Sequence, residues 1–337
     1  MNQTVTRMRR KKRITSVELA KLTGFSSATV SRAFSPTASI KKATREAILS
    51  AAIEHNYQPS AIARTLHSQR SRLVAIVVNT IANPCEAEEL DALVHRLQDR
   101  RLVPIILCCA AIEDRMTLMR LASTYHVDEV IIFSDMFSAE DAIRIFDGIR
   151  PIMVAVDPVD DPNVDSIEID GRSAAGEIIE KVVNDGRRRF AYLAGRKSSW
   201  IDQKRRDWFA TALEAHGLRF EAFGHGDYTY DSGFKEAVLL LRRNGIDALI
   251  CGNDVMAIGA RDAAVRLLGR RVPKDLAIVG QDGISMVGWD CHDLTTLAQD
   301  YDVFTDTIVQ LIELDPAESV TPRRMKLQCF PRWGATA

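Results

Sequence analysis

Short runs of apolar residues recur along the chain from residue 73 onward, separated by longer amphipathic segments. A first set comprises LVAIVV from 73, LVPIIL from 102, VDEVIIF from 127 and PIMVAV from 151, and a second comprises SIEI from 166, RFAYLA from 189, DALIC from 247 and LAIVG from 276. The intervening segments include 86–101, 171–185, 231–244 and 254–268. Continuous apolar strands that alternate with helices are typical of parallel sheets covered on both faces. The pattern predicts two doubly wound α/β lobes, with a ligand cleft beyond the carboxyl ends of their strands.

The first 72 residues follow a helical pattern instead. The stretch ITSVELAKLTGFSSATVSRAF predicts two short helices, the first capped by Thr15 or Ser16 and the second by Ser26 or Ser27. Gly24 ends the first helix, because glycine tolerates the left-handed conformation at a helix stop. The stretch TREAILSAAIEHNY predicts a third helix, which Thr44 caps. Together they predict a small all-α helix-turn-helix unit.

Apolar residues at helical spacing supply the predicted core of this unit. They are Val17, Leu19, Ala20 and Leu22 in the first helix, Val30, Ala33 and Phe34 in the second, and Ile48, Leu49, Ala52 and Ile53 in the third. The exposed arc of the second helix carries small groups and one arginine: Ser27, Ala28, Thr29, Ser31 and Arg32. A helix that reads the major groove of DNA needs such a face, since an arginine can reach a guanine edge. A helical domain that binds protein is the alternative.

Charge divides the chain at the same place. Residues 1–72 hold fourteen Lys and Arg against three Asp and Glu, a net charge of +11, whereas the remainder holds 30 basic and 42 acidic residues, a net charge of −12. A basic head on an acidic body is typical of a nucleic-acid-binding module joined to another domain. The charge therefore favours DNA over protein as the partner of the head.

Composition argues against several other classes of protein. No apolar run approaches the roughly 18 to 20 residues of a membrane helix, and no apolar stretch follows the first positive charges as in a signal peptide. The six cysteines form no C-x-x-C pair and the seven histidines show no metal-ligand spacing. We expect a cytoplasmic protein with no membrane partner, no cofactor, no metal site and no catalytic residue.

The head resembles the amino-terminal signature of the LacI/GalR (lac-repressor) family of bacterial transcription regulators. The shared features are the T-V-S-R core of the second helix, the T-R-E opening of the third, the N-Y-x-P turn and the A-R-x-L hinge, in order and at the family's spacing. The likeness covers nearly the whole chain apart from the first dozen and the last few residues. It implies a basic tail at 1–13, a helix-turn-helix domain at 14–59 and a hinge helix at 60–72.

The resemblance also implies a periplasmic-binding-protein-like core at 73–337, which binds the effector and forms the dimer. Its first lobe would be about 73–161 plus 299–316, and its second about 162–298 plus 317–337, joined by three crossovers. Two copies would bind a palindromic double-stranded DNA operator, most readily as a repressor. Ligand binding in the cleft would control DNA binding allosterically.

Roles in DNA binding follow residue by residue from the resemblance. Ser27, Ala28 and Arg32 stand at base-reading positions, and Thr15, Thr29 and Ser31 stand at positions that hold phosphates. Leu66 stands where the family's hinge helix wedges a leucine into the minor groove. Because Ser27 and Ala28 are small, most hydrogen-bond readout is expected from Arg32.

Residues at strand ends supply the candidates for the effector site. The family's N-P motif matches Asn83 and Pro84, its N-D motif matches Asn253 and Asp254, and its binding-site aspartate matches Asp282. In KRRDWFATAL, Lys204 stands at the family's ligand-gripping arginine and Asp207 at its glycine, with Arg205 one residue away as a substitute. The full candidate set is Asn83, Cys85, Glu86, Ser134, Trp200, Lys204, Arg205, Asn253, Asp254 and Asp282. A helix cap is the alternative role for Asp254. Trp200 and Trp208 are candidates for a stacking face, although core is the favoured role for Trp208.

These residue types suit a sugar or sugar derivative, since each carboxylate can hold two vicinal hydroxyl groups. Two departures from the family favour a smaller, more polar or cationic ligand. Cys85 and Glu86 replace the aromatic residues that usually follow the N-P motif, and Gln281 replaces the aromatic residue before the aspartate.

An enzyme with a DNA-binding head, for example a sugar kinase, is the alternative from another class. The chain has no G-x-x-x-x-G-K-[ST], no G-x-G-x-x-G and no G-x-S-x-G motif. A transport-type solute receptor is a second alternative, against which the head and the missing export signal argue.

Overall fold

The chain divides into two compact units, a head unit of Met1–Ser71 and a core unit of Arg72–Ala337. In this computed structural model the residues described are 14–35, 38–58, 70–109, 115–133, 137–155, 161–197, 199–242, 245–313 and 321–337. Within these ranges, none of the helices combines the length and the apolar character that a bilayer crossing needs.

The described part of the head unit contains three helices: α1 (Ser16–Thr23), α2 (Ser27–Ala33) and α3 (Lys42–Glu54). The Thr15 hydroxyl accepts from the Glu18 amide at 3.2 Å, and the Glu18 carboxylate accepts from the Thr15 amide at 2.7 Å. This reciprocal capping box satisfies two amides that a helix start leaves free. Gly24 ends α1 in the left-handed conformation at φ 72°. The Ser26 hydroxyl caps α2 by accepting from the Thr29 amide at 3.1 Å, so the predicted turn between the two helices is confirmed.

The head core is narrower than the apolar pattern predicted. Its fully buried residues are Leu19, Ala20, Val30, Ala33, Ile48 and Ala52. Phe34 and Leu49 are half-buried, and the Phe34 ring lies 5.5 Å from that of Tyr57. The predictions that Val17, Leu22 and Ile53 are core residues were wrong, since all three are exposed, Ile53 by 83%. Three short helices bury only the stripe that faces their common axis.

The start of the third helix was also predicted wrongly. Lys41, not Thr44, occupies the position before the first helical residue, and its carbonyl accepts from the Arg45 amide at 3.0 Å. Lys42 and Ala43 are good helix formers, so the helix begins before the threonine.

Two six-stranded sheets form the core unit. The strands are β1 (Leu73–Val78), β2 (Val103–Cys108), β3 (Glu129–Ile132), β4 (Ile152–Ala155), β5 (Asp165–Asp170), β6 (Phe190–Ala194), β7 (Phe220–His225), β8 (Ala248–Cys251), β9 (Ala277–Asp282), β10 (Thr295–Ala298), β11 (Arg324–Gln328) and β12 (Phe330–Arg332). The first sheet has the order β11-β5-β4-β3-β1-β2 and the second the order β12-β10-β9-β8-β6-β7. All neighbouring strands run parallel except β12, which is antiparallel to β10.

Helices cover these sheets, as the alternation of apolar runs predicted. They are α4 (Pro84–Asp99), α5 (Arg115–Ser123), α6 (Ala139–Ile145), α7 (Arg172–Asn184), α8 (Trp200–Glu214), α9 (Tyr230–Leu241), α10 (Asp254–Asp262), extended by a π-turn at Ala263–Leu267, and α11 (Tyr301–Glu313). The central strands are buried on both faces, which is why they occur in the sequence as continuous apolar runs.

The strands that the sequence pattern did not predict lie at sheet edges or are short. β7 alternates buried and exposed residues because it forms one edge of the second sheet. β11 forms an edge of the first sheet, and β12 forms the edge of the second sheet opposite β7. Their partly polar sequences contain no apolar run. Burial on one face only, or at an edge, removes the apolar signal on which the prediction depended.

The predicted lobe boundaries need two corrections. β5 pairs with β4 and β11, so it belongs to the first sheet, although residues 162–298 were assigned to the second lobe. β11 also belongs to the first sheet, although 317–337 were assigned to the second. The reason is that the chain leaves the first lobe only after β5. Near the end of the chain it returns and adds β11 beside β5.

Two of the three connections between the lobes contact each other. The chain passes to the second sheet after β5, returns to the first lobe at α11, and enters the second sheet again at β12. α11 packs on α4, where Arg96 and Arg100 bond Asp302 and Glu313 at 3.0 and 2.6 Å. Cys329, the single residue between β11 and β12, donates its amide to the Asp170 carbonyl at 2.8 Å. Two connections are therefore hydrogen-bonded to each other.

Candidate effector cleft and DNA-reading helix

An open cleft lies beyond the carboxyl ends of the strands of both sheets. Asn79 follows β1 and Phe133 follows β3 on one side, and Asp282 ends β9 on the other. The lining residues are Asn79, Asn83, Cys85, Glu86, Glu89, Phe133, Val154, Ile169, Arg196, Ser199, Ile201, Arg205, Tyr228, Asn253, Asp282 and Gln299. The cleft is where parallel α/β sheets bind ligands.

Three helices begin at this cleft, and their capping residues line it. The side chains of Asn83, Ser199 and Asn253 accept from the first-turn amides of α4, α8 and α10 at 3.1, 3.3 and 2.9 Å. Asn253 also donates its amide to the Tyr228 carbonyl at 3.2 Å. The positive ends of three helix dipoles therefore face one cavity.

A buried ion pair lies in the part of the cleft wall that the second lobe contributes. Arg205 Nη1 lies 2.7 Å from Asp282 Oδ1, and the Asp282 side chain is only 4% exposed. Asp282 holds a φ of 122°, a left-handed conformation that costs energy for any residue but glycine. Burial raises the pKa of Asp282, and the adjacent guanidinium opposes that rise. The pair fixes the orientation of both side chains in the cleft.

Asp254 holds the turn that carries Asp282. Its carboxylate accepts from the Gly283 and Ile284 amides at 2.7 and 3.0 Å and from the Thr296 hydroxyl at 2.6 Å. It is fully buried and lies outside the lining of the cleft, so it positions the binding wall from behind. A Cβ at Gly280 would lie 2.1 Å from Asp254 Oδ1, which explains the glycine there.

Glu89 and Cys85 form a second cluster on the first lobe's wall, one turn apart on α4. Cys85 Sγ donates to Glu89 Oε1 at 3.7 Å, and the Gln299 amide donates to the same oxygen. The Tyr301 hydroxyl lies 3.7 Å from Cys85 Sγ. Burial, followed by the negative charge of Asp282, raises the pKa of Glu89 to about 8. Glu89 is therefore mostly protonated and uncharged at neutral pH.

The predicted effector residues divide into three groups. Asn83, Cys85, Glu86, Arg205, Asn253 and Asp282 line the cleft. Lys204 is exposed and Trp200 packs half-buried against the core, so with Asp254 they lie outside the lining. Ser134 lies outside the described residues, as does Leu66 of the predicted DNA-binding set.

The misplacement of Lys204 comes from counting the motif one residue early. Counted from Arg205, the same R-x-x-G-F-x-x-A-L spacing puts the buried Phe209 and Leu213 at its apolar positions. Trp208 then replaces the motif's glycine, and it is buried as predicted. A Cβ at Gly171 would lie 2.6 Å from the Trp208 ring, so a glycine on the facing element makes room for it.

Several lining residues were missed from the sequence. Glu89 follows Cys85 by four residues, so its place on the same helix face was available from spacing alone. Arg196, Ser199 and Tyr228 lie in loops or at a helix start, where no periodicity marks them. In the described part of the chain, no cluster of three His, Cys, Asp or Glu side chains is arranged to hold a metal ion.

Among the head residues that the structure describes, none packs over the outer face of α2. Ser27, Ala28, Ser31 and Arg32 are exposed, and Thr29 is half-buried with its hydroxyl 2.9 Å from that of Ser26. Val30 and Ala33 anchor the opposite face in the core. The helix thus presents one arginine and small side chains outward.

The amino-terminal unit and the core match two known families. Residues 17–60 match the model of bacterial regulatory proteins of the lacI family, and residues 179–330 match that of the periplasmic-binding-protein-like domain. HTH-type transcriptional repressor CytR of Escherichia coli K12 is 26% identical over 309 residues, covering 90% of each chain. A structure of the lac repressor dimer bound to operator and the anti-inducer ONPF is 25% identical, with a TM-score of 0.86, and covers 96% of this chain and 99% of that one.

The chain belongs to the LacI family. HTH-type transcriptional regulator CelR of Thermobifida fusca is 29% identical over 338 residues, covering 95% of this chain and 97% of that protein. A CelR–cellobiose complex is 25% identical, with a TM-score of 0.69, and covers 96% of this chain and all of the other. These relatives are transcription regulators, so this LacI-family chain is a DNA-binding regulator, not the enzyme considered as the alternative.

Replacing Arg205 by Met should destabilise the core unit by about 3–5 kcal/mol, because Asp282 would stay buried without its partner. Lys204→Met, the matched control one residue away, should change the stability by no more than about 1 kcal/mol, since Lys204 is exposed. Denaturant-induced unfolding of the two variants measures the difference. Equal effects would contradict the assignment of the motif to Arg205.

Glu89 should make the core less stable as the pH rises. Its pKa is about 8 in the folded chain against an ordinary 4.5, so the folded state binds more protons between those values and loses stability with increasing pH. Glu89→Gln keeps an acceptor for Cys85 and Gln299 but cannot ionise. The variant should gain on the order of 1 kcal/mol or more over the native chain between pH 6 and pH 8, since one pKa unit corresponds to about 1.4 kcal/mol.

Urea unfolding at both pH values measures this gain. Glu180→Gln, which removes an exposed glutamate of α7, serves as the control and should show no such pH-dependent gain. A Glu89→Gln variant with the pH dependence of the native chain would show that Glu89 is ionised in the cleft.

Proposed function

We propose that this LacI-family chain is a cytoplasmic, homodimeric repressor that binds a palindromic operator and is controlled by a small molecule in the cleft. The observation that carries the proposal is the exposed face of α2, anchored by Val30 and Ala33, within residues 1–72, which carry a net charge of +11. Positive charge supplies the affinity for DNA phosphates, and one arginine on an exposed helix supplies base readout. Cytoplasmic location follows from an operator as the partner.

The proposed DNA contacts keep the division between base reading and phosphate binding. Ser27, Ala28 and Arg32 read bases, with Arg32 the main donor. Thr15, Thr29 and Ser31 bind phosphates, although the Thr15 hydroxyl already serves the α1 cap. Leu66 is proposed to enter the minor groove between the half-sites, which costs a few kcal/mol of unstacking that added contact offsets.

The proposed domains follow the same scheme. Residues 1–13 form a basic tail that binds phosphates without sequence preference, 14–59 form the DNA-binding domain, 60–72 the hinge, and 73–337 the effector-binding core. Exposed apolar residues of the edge strand β2 and of α5, Val103, Ile106 and Leu121, support a surface for a second copy of the chain.

The cleft is proposed to hold a hydroxylated metabolite, gripped by Asn83, Glu86, Arg205 and Asp282. Relatives support a small-molecule effector: CelR has been solved as a complex with cellobiose, and another relative is the ribose operon repressor of Halalkalibacterium halodurans. That repressor is 28% identical over 309 residues, covering 90% of this chain and 91% of its own.

A bridge between the lobes supports a link between cleft closure and function. Glu88 of α4 accepts from the amide and hydroxyl of Ser285, in the turn after β9, at 2.6–3.0 Å. A ligand that binds the closed and open arrangements with different affinity shifts their balance, and such coupling is typically about 1–3 kcal/mol. The separation of the two hinges in the dimer would change with it.

The DNA-binding proposal is tested by selecting operators from random duplex DNA and measuring binding by fluorescence anisotropy. Arg32→Ala should cost about 1–3 kcal/mol and relax specificity at one base pair in each half-site. Lys42→Ala, which removes an exposed charge from α3 of the same unit, should weaken all sequences alike. If Arg32→Ala also weakened every sequence equally, Arg32 would be a phosphate contact.

The effector proposal is tested on the operator-bound native protein. We expect at least one compound from a panel of sugars, sugar acids and purines to raise the melting temperature and change operator affinity by roughly 5- to 150-fold. Chemical turnover of any panel compound by the purified protein would favour the enzyme instead.

A further inference from the structure

Arg196 is a cationic residue of the cleft that pairs with no carboxylate within the described residues. It follows β6, lines the cleft half-buried, and has its guanidinium carbon 5.3 Å from the centre of the Tyr228 ring. Arg205, the other arginine of the lining, is already bonded to Asp282 at 2.7 Å. The two arginines therefore differ: one holds the wall together, and one presents its charge to the cavity.

The Tyr228 ring gives Arg196 a fixed platform. A Cβ at Gly195 would lie 2.0 Å from this ring, so the ring lies directly against the chain beside Arg196. The Tyr228 carbonyl accepts from Asn253, which fixes the loop to the start of α10. A guanidinium over an aromatic face keeps the N–H donors at its edges free for a ligand, because the contact with the ring uses none of them.

The carboxylates that line the cleft are each engaged by a donor of the protein. Glu86 accepts from the Thr80 amide at 2.9 Å, Glu89 accepts from Cys85 and Gln299, and Asp282 accepts from Arg205. The charge of Asp282 is balanced by its partner, and that of Glu89 is largely lost through protonation. Among the described residues, no lining carboxylate therefore forms an ion pair with Arg196.

The helix starts add to this positive potential. α8 and α10 begin at Ser199 and Asn253, both in the cleft lining, and Ser199 is three residues from Arg196. Asp202 in the first turn of α8 offsets part of that dipole, since it is buried and accepts from the Gly195 amide at 3.0 Å. At the α10 start, Asp254 is the first helical residue and offsets part of that dipole from behind the wall, and the charge of Asp282 is balanced by Arg205.

We propose that the effector is an anionic polyol, whose carboxylate or phosphate pairs with Arg196 while its hydroxyl groups bond the amides and carboxylates of the opposite wall. The proposal rests on the proposed effector function and narrows the ligand from any sugar derivative to an acid. Sugar acids and sugar phosphates share the required chemistry, and the experiment separates them.

Isothermal titration of the full-length native protein with matched pairs tests the proposal. The pairs are gluconate with glucitol, galacturonate with galactose, and glucose 6-phosphate with glucose. The acidic member of at least one pair should bind at least tenfold more tightly than its neutral counterpart. If a carboxylate pair shows the preference, Arg196 binds a carboxylate; if the phosphate pair shows it, Arg196 binds a phosphate.

Variants then assign the preference to Arg196. Arg196→Gln should lower the affinity for the preferred acid at least tenfold and leave the neutral member's affinity unchanged. Arg196→Lys should restore part of the loss, because it keeps the charge without the planar fork. Lys197→Gln, which removes the neighbouring exposed charge outside the cleft lining, is the matched control and should bind like the native protein. Melting temperatures of all three variants confirm folding.

The outcomes separate this inference from the proposed function. A neutral sugar that binds and releases operator while acids do not would overturn the inference and leave the regulator intact. An acid that binds through Arg196 without changing operator affinity would support the inference and contradict allosteric control. Failure of every acid to bind, or equal binding by Arg196→Gln, would overturn the inference.

Discussion

The parallel arrangement of the strands is the constraint on which the core unit depends. Strands that run in one direction end at one edge, and the helices that follow them begin there. In this chain α4, α8 and α10 all begin at the cleft, so their capping residues, Asn83, Ser199 and Asn253, become lining residues without further design. The same geometry concentrates positive helix ends and polar loops in one cavity, while the sheets themselves stay apolar.

Acidic groups that line such a cavity or lie behind its wall are stable only when the protein compensates them. Asp254 is surrounded by donors, Asp282 has Arg205, and Glu89 is held largely protonated. Removing a partner from any of these would leave a polar group buried at a cost of several kcal/mol. These contacts fix the orientation of the acidic side chains, and fixed polar groups can discriminate between ligands.

Sequence patterns predicted the fold well wherever burial was complete. The central strands occur as continuous apolar runs, and the head's turn is marked by Gly24 and by the caps Thr15 and Ser26. The edge strands β7, β11 and β12 were missed because half their residues face solvent or because they are very short. β5 was assigned to the wrong lobe, since an apolar run shows that a strand exists but not which strand it joins.

The candidate site was predictable only in part, for a similar reason. Residues at strand ends and helix starts, such as Asn83, Asn253 and Asp282, follow from the α/β pattern. Lys204 was placed in the site because the motif was aligned by its letters alone. The burial of Phe209 and Leu213 shows which residues occupy the motif's apolar positions, and so that the motif starts at Arg205. Arg196 and Tyr228 depend on loop conformation, which no periodicity encodes.

The hydrogen bond between Cys329 and Asp170 has a mechanical consequence. It joins the end of β5 to the connection between β11 and β12. In that connection only Cys329 separates the strand of one sheet from the strand of the other. Any rotation of the lobes must therefore use an axis that passes close to this point. Displacement is smallest there and grows with distance from it, so the far rims of the lobes would travel much further than the residues beside Asp170.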